Sequence, residues 1–147
     1  MFSSIVVGTD GSETASYALG QAIALAAPLG ATLDVVSAYQ PVSKARLNAE
    51  SKEAPEGFQW AINPHEDVEA TLQAATDAAV AAGVEARTHA RQGDPADAII
   101  EVAEQQGADL IIVGNKGMTG TKRFLLGSVP NTVSHHAPCS VLIIRTT

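Results

Sequence analysis

The sequence predicts an α/β fold of the Rossmann-like class, an open parallel sheet with helices on both faces. Three observations predict it. Short apolar, β-branched runs alternate along the chain with alanine-rich stretches whose apolar residues recur every three or four positions. Start and stop residues for helices stand at the boundaries between them. The chain is 46% hydrophobic but only 4% aromatic, so its core must be built from Ala, Val, Leu and Ile, the materials of packed α/β layers.

Each element follows in order. SIVVGT, residues 4–9, is a buried strand closed by the turn Asp10-Gly11-Ser12. From there Ala15, Leu19, Ala22, Ile23 and Ala26 mark one face of a helix, with Ser12 as N-cap and Gly30 as its stop. TLDVVSAY, residues 32–39, is the second strand. Residues 40–62 show no period and hold Pro41, Pro55 and Gly57, so they are expected to form a long loop with a helical turn around Ala45 to Ser51. Asn63-Pro64-His65-Glu66 has the order of a capping box and opens a helix to about Ala82. Val84 to Ala90 alternates as a third strand, and Asp94-Pro95-Ala96-Asp97 opens a helix that ends near Gln106 and Gly107. ADLIIV, residues 108–113, is the fourth strand, apolar from Leu110 onward. Asn131 to His136 reads as a short helix stopped by Pro138, and SVLIIR, residues 140–145, as the last strand. The alternation implies parallel strands and one domain over residues 1–147.

Charge narrows the partners. A net charge of −7 argues against nucleic acid or an anionic membrane. The start of the chain lacks the pattern of a signal peptide, no apolar run reaches a membrane span, and the lone Cys139 suits a reducing compartment, so a cytoplasmic protein is expected. All 16 acids stand at or before Asp109, which leaves a cationic end carrying Lys116, Lys122, Arg123 and Arg145.

In an open parallel sheet ligands bind beyond the carboxyl ends of the strands. Two loops fall there. One is Gly8-Thr9-Asp10-Gly11-Ser12; the other is GNKGMTGTKRFLLGSV, residues 114–129, which has four glycines, three cations and no acid. Glycines let backbone N–H groups approach a phosphate, and a helix start behind them adds partial positive charge. Gly114, Gly117 and Gly127 suit that task, Ser128 is expected to offer its N–H and hydroxyl as an N-cap, and Lys122 and Arg123 can add charge. Asp10 can hold a ribose hydroxyl or a divalent cation such as Mg2+. Neither a P-loop nor a dinucleotide fingerprint is present. A phospho-acceptor domain is excluded, because Arg91-Gln92-Gly93 stands where its acceptor aspartate would be. His135 and His136, adjacent at a helix end, share no face for a metal and instead meet the helix dipole. Trp60 is expected to pack over a sheet edge or a dimer rather than stack on a base.

The spacing Gly-x2-Gly-x9-Gly-Ser at Gly114, Gly117, Gly127 and Ser128 resembles the ATP-binding branch of the universal stress protein family. IVVGTDGS, DLIIVGNKG, LLGSV and PCSVLIIR are similar to that family in order and spacing along the whole chain. The resemblance implies a sheet of order 3-2-1-4-5, ATP or another adenine nucleotide between the loops after strands one and four, and a homodimer through the last strand. Position by position it implies that Asp10, beside Gly8 and Thr9, meets the ribose. It further implies that Ala38 faces the adenine, that Val113, Gly114 and Asn115 lie beside ribose and phosphates, and that Gly117, Gly127, Ser128 and Val129 cradle the phosphates with Arg123 near. Gly8 departs from a frequent proline, which is expected to loosen the adenine-side wall, and Asn115-Lys116 departs from a frequent Ser-His or Ser-Arg. No catalytic residue is assigned: the second loop offers no acid or metal cluster, so any hydrolysis would be slow. A nucleotide-free dimeric module is the remaining alternative, and it leaves the glycine spacing unexplained.

Overall fold

The computed structural model describes residues 1–39, 64–115 and 126–146. The expected loop at 40–62, Trp60, the Asn63 cap and the turn residues Gly117, Lys122 and Arg123 lie outside the described residues.

Five strands, β1 (Ser4–Gly8), β2 (Thr32–Tyr39), β3 (Ala86–Gln92), β4 (Leu110–Gly114) and β5 (Ser140–Ile144), form one sheet of order β3-β2-β1-β4-β5. Every pairing is parallel. Helices α1 (Glu13–Leu29), α2 (Pro64–Ala81), α3 (Pro95–Gln106) and α4 (Ser128–His136) fill the connections. The order is the one the resemblance implied.

Strand alternation divides the core in two. Ile5 and Val7 of β1 pack with Leu33, Val35, Leu110 and Ile112 under α1 and α2, while Val6 joins Val36, Ile111 and Val113 under α3 and α4. Because β1 is central and covered on both faces, all three of its inner residues are fully buried. Only branched aliphatics can fill both layers from one run.

The caps of α1 and α3 fall at the expected residues. Ser12 Oγ accepts the Ala15 N–H at 3.2 Å, and an Asp94 carboxylate oxygen accepts the Asp97 N–H at 3.1 Å; such caps contribute about 1 kcal/mol each. Gly30 and Gly107 close α1 and α3 in the left-handed conformation.

Boundaries differ at several ends, and three of the starts have a visible cause. Strand β3 begins at Ala86, not Val84, because the Val84 N–H returns to Ala79 O to close α2. Likewise β4 begins at Leu110, since the Ala108 N–H bonds Ala103 O behind α3. Helix α4 starts at Ser128 rather than Asn131: Pro130 lies in its first turn, where a missing N–H breaks no helix bond.

Among the described residues no helix is long and apolar enough to cross a membrane.

Candidate functional site

Strand β1 pairs with β2 on one side and with β4 on the other, so the chain order reverses between β1 and β4. At their carboxyl ends a cleft is lined by Gly8, Thr14, Ala15, Ile99, Val113, Gly114, Val129 and Pro130. The structure thus brings together four residues named from the sequence, Gly8, Val113, Gly114 and Val129. It adds Thr14, Ala15, Ile99 and Pro130, none of which the sequence marks as a site residue. The enclosed part of the cleft is about 20 Å³, room for a water molecule.

The space beside Gly8 is taken. A Cβ on Gly8 would lie 2.5 Å from Ile99 Cδ1 and 3.1 Å from its Cγ1. Ile99, fully buried on α3, therefore fills the space that residue 8 leaves. The expected loosening of the wall at Gly8 does not occur: the missing side chain is replaced by a neighbour's.

The loop after β1 is braced by its own hydrogen bonds. The Thr9 N–H donates to Val36 O at 2.9 Å, continuing the ladder past β1. Buried Thr9 accepts the Gly11 N–H on Oγ1 at 3.2 Å, and Asp10 Oδ1 accepts the Ser12 N–H at 2.9 Å. Gly11 sits at φ +81°, a conformation that glycine adopts without penalty. Asp10 itself is exposed and is not among the residues that line the cleft; its carboxylate is anchored through one oxygen. Ala38 stands further along β2, half-buried and paired with Arg91 of β3.

Asn115, the residue after the cleft-lining Gly114, is fixed at several points. Its N–H donates to Ile144 O at 2.8 Å, and its carbonyl accepts the Gly127 N–H at 2.9 Å. Its side-chain oxygen accepts both the Thr146 N–H, at 2.8 Å, and the Thr146 hydroxyl, at 2.9 Å. Asn115 is thus held by Ile144 at its N–H, by Gly127 at its backbone carbonyl and by Thr146 at its side-chain oxygen, which leaves its side-chain NH2 as the group with no hydrogen bond among the described residues. Gly127, not Ser128, is the N-cap of α4, and it brings no side-chain cap. Since Pro130 lacks an N–H, the first-turn donors are the N–H groups of Ser128 and Val129.

Away from the cleft, His135 Nδ1 lies 2.7 Å from Asn131 O. A second feature missed by the sequence reading is Asp34, fully buried on β2. Its carboxylate accepts from Arg87 at 2.9 Å and lies 2.8 Å from His89 Nε2, both on β3. A single acid inside an apolar strand was the available signal, because a buried carboxylate needs partners.

Comparison with known proteins follows the same outline. The sequence model of the universal stress protein family matches residues 1–145. YxiE, a universal stress protein of Bacillus subtilis (strain 168), is 35% identical over 99% of this chain and 100% of its own length. A universal stress protein crystallised in complex with cAMP is 33% identical, with a TM-score of 0.73 over 99% of this chain and 98% of that one. UspA from Lactobacillus plantarum superposes with a TM-score of 0.75 at 26% identity, over 98% of both chains.

Proposed function

The chain belongs to the universal stress protein family, and from that premise we propose that it binds an adenine nucleotide, ATP or a related adenylate, across the carboxyl ends of β1 and β4. One observation carries the proposal: Gly8, Val113, Gly114 and the side-chain-uncapped start of α4 converge on one cleft at the switch point of the sheet. The relative with cAMP, at 33% identity over nearly the whole chain, supports an adenylate as the ligand class.

Roles follow from the local chemistry. Asp10 is anchored through Oδ1, which leaves Oδ2 for a ribose hydroxyl. The N–H groups of Ser128 and Val129 meet phosphate oxygens with the positive end of the α4 dipole behind them. Gly117 and Arg123, outside the described residues, complete the phosphate side in this reading. Mg2+ at Asp10 would take its other ligands from phosphates and water, since among the described residues no three acidic, His or Cys side chains converge. Binding and release of the adenylate is the activity, used to report or regulate rather than to turn over.

Calorimetric titration with ATP, AMP and cyclic AMP tests this. A dissociation constant below about 1 mM for at least one adenylate is expected, with Asp10→Asn weakening it about tenfold through loss of a charge-assisted hydrogen bond. If all three fail to bind, the nucleotide-free module is the better account.

The proposal includes a homodimer through β5. That strand is at the sheet edge, with Leu142 and Ile143 exposed, and an uncovered apolar edge is a template for a second copy. Sedimentation at micromolar concentration should show a species near twice the 15.1 kDa of one chain; a purely monomeric profile overturns the dimer alone.

A further inference from the structure

Asn115 joins three parts of the molecule. Its N–H extends the β4–β5 ladder to Ile144, its carbonyl fixes the Gly127 N–H at the cap of α4, and its side-chain oxygen takes two hydrogen bonds from Thr146. Thr146 also crowds the cleft-lining Gly114: its Cγ2 is 3.3 Å from where a Cβ of Gly114 would stand. Gly114 therefore has a second reason to lack a side chain, independent of any phosphate.

We propose that Thr146 is a positioning residue for the nucleotide site. It holds Asn115, and Asn115 in turn fixes the N-cap of α4, whose Ser128 and Val129 N–H groups face the anion. The inference rests on the adenylate reading of the cleft. Thr146 need not touch the ligand, because its effect travels through two hydrogen bonds onto one amide and from that residue's carbonyl to Gly127. Without the clasp, the side chain of Asn115 swings free and the α4 start loses its fixed distance from β4.

Variants at both ends of the clasp test this. Thr146→Ala should weaken adenylate affinity about three- to tenfold, the size of one hydrogen bond lost from a positioned network, and Thr146→Ser should restore it. Asn115→Ala should weaken binding at least as much, and adding Thr146→Ala to it should change nothing further, since the two act as one unit. Hydrogen exchange of the Gly127 amide should quicken in Thr146→Ala and in Asn115→Ala with no nucleotide present. Additive losses in the double variant would mean that the two residues act independently and would overturn the positioning role. So would unchanged affinity in Thr146→Ala, or an unchanged Gly127 exchange rate. If the wild type binds no adenylate, the functional reading itself fails, and the exchange measurement still decides whether Thr146 holds the α4 cap.

Discussion

At their amino ends β1 and β4 are stitched by one carboxylate; at their carboxyl ends the same two strands carry glycines and stand beside a cleft. Asp109, just before β4, accepts the N–H groups of Ser3 and Ser4 at 3.0 to 3.2 Å and the Ser3 hydroxyl at 3.2 Å, while its own N–H donates to Ser4 O. Gly8 and Gly114, at the other end, offer no side chain, and the space is taken by Ile99 and Thr146 reaching in from α3 and the chain end. One end of the pair is closed by polar bonds between neighbours in space. The other is shaped by residues that stay small so that distant ones can approach. Substitutions at the two ends should therefore fail differently, the carboxyl end losing ligand together with packing and the amino end losing stability alone.

The largest effect is expected at Gly8. In Gly8→Val the new side chain meets Ile99 at well under contact distance, so the variant should lose about 1–3 kcal/mol to overpacking. Adenylate binding should fall with it, because Ile99 is pushed into the cleft. Shortening the partner in Gly8→Val, Ile99→Ala should recover part of the stability even though Ile99→Ala alone opens a cavity. Urea denaturation of the two single variants and the double variant measures this coupling. Simple additivity would mean that residue 8 and Ile99 do not compete for the same space, and the contrast between the two strand ends would lose its basis.

How much of this was legible in the sequence depends on the range of the interaction. Caps were readable, since Ser12 and Asp94 act on residues three positions away. So was the strand and helix succession, which periodicity writes locally, and the order of the strands came with the family motif. Helix α4 starts three residues before the point its sequence pattern suggests, because Pro130 reads as a break although a first turn accepts a proline. What stayed hidden are pairings across the fold. Asp34 finds Arg87 and His89 only through the register that sets Asp34 opposite Arg87 and Val36 opposite His89, 53 and 55 residues apart for the two side-chain contacts. Ile99 reads as an ordinary helix core residue, and nothing near it in sequence says that its tip replaces a side chain at Gly8. Thr146 and Asn115 are 31 residues apart, so nothing near Asn115 in sequence shows that its side-chain oxygen is held by Thr146.

The smallest effect, and the sharpest test of independence between the ends, is expected for Asp109→Asn. Burial pushes the Asp109 carboxyl up, but the N–H groups of Ser3 and Ser4 and the Ser3 hydroxyl outweigh it and hold the group below an ordinary aspartate. A carboxyl with a lowered folded pKa stabilises fully above its unfolded value, about 3.9, and that contribution disappears as pH falls through the folded value. The stability gap between wild type and Asp109→Asn should thus be constant near neutrality and close below about pH 4. A second readout lies close by. The thiol of half-buried Cys139 is raised first by burial and then by the Asp109 charge, so removing that charge should quicken its alkylation at mildly alkaline pH while burial keeps it slower than a free thiol. Adenylate affinity should not move. A changed affinity would mean that strain at the amino ends of β1 and β4 reaches the cleft along the strands, and that the two ends form one mechanical unit.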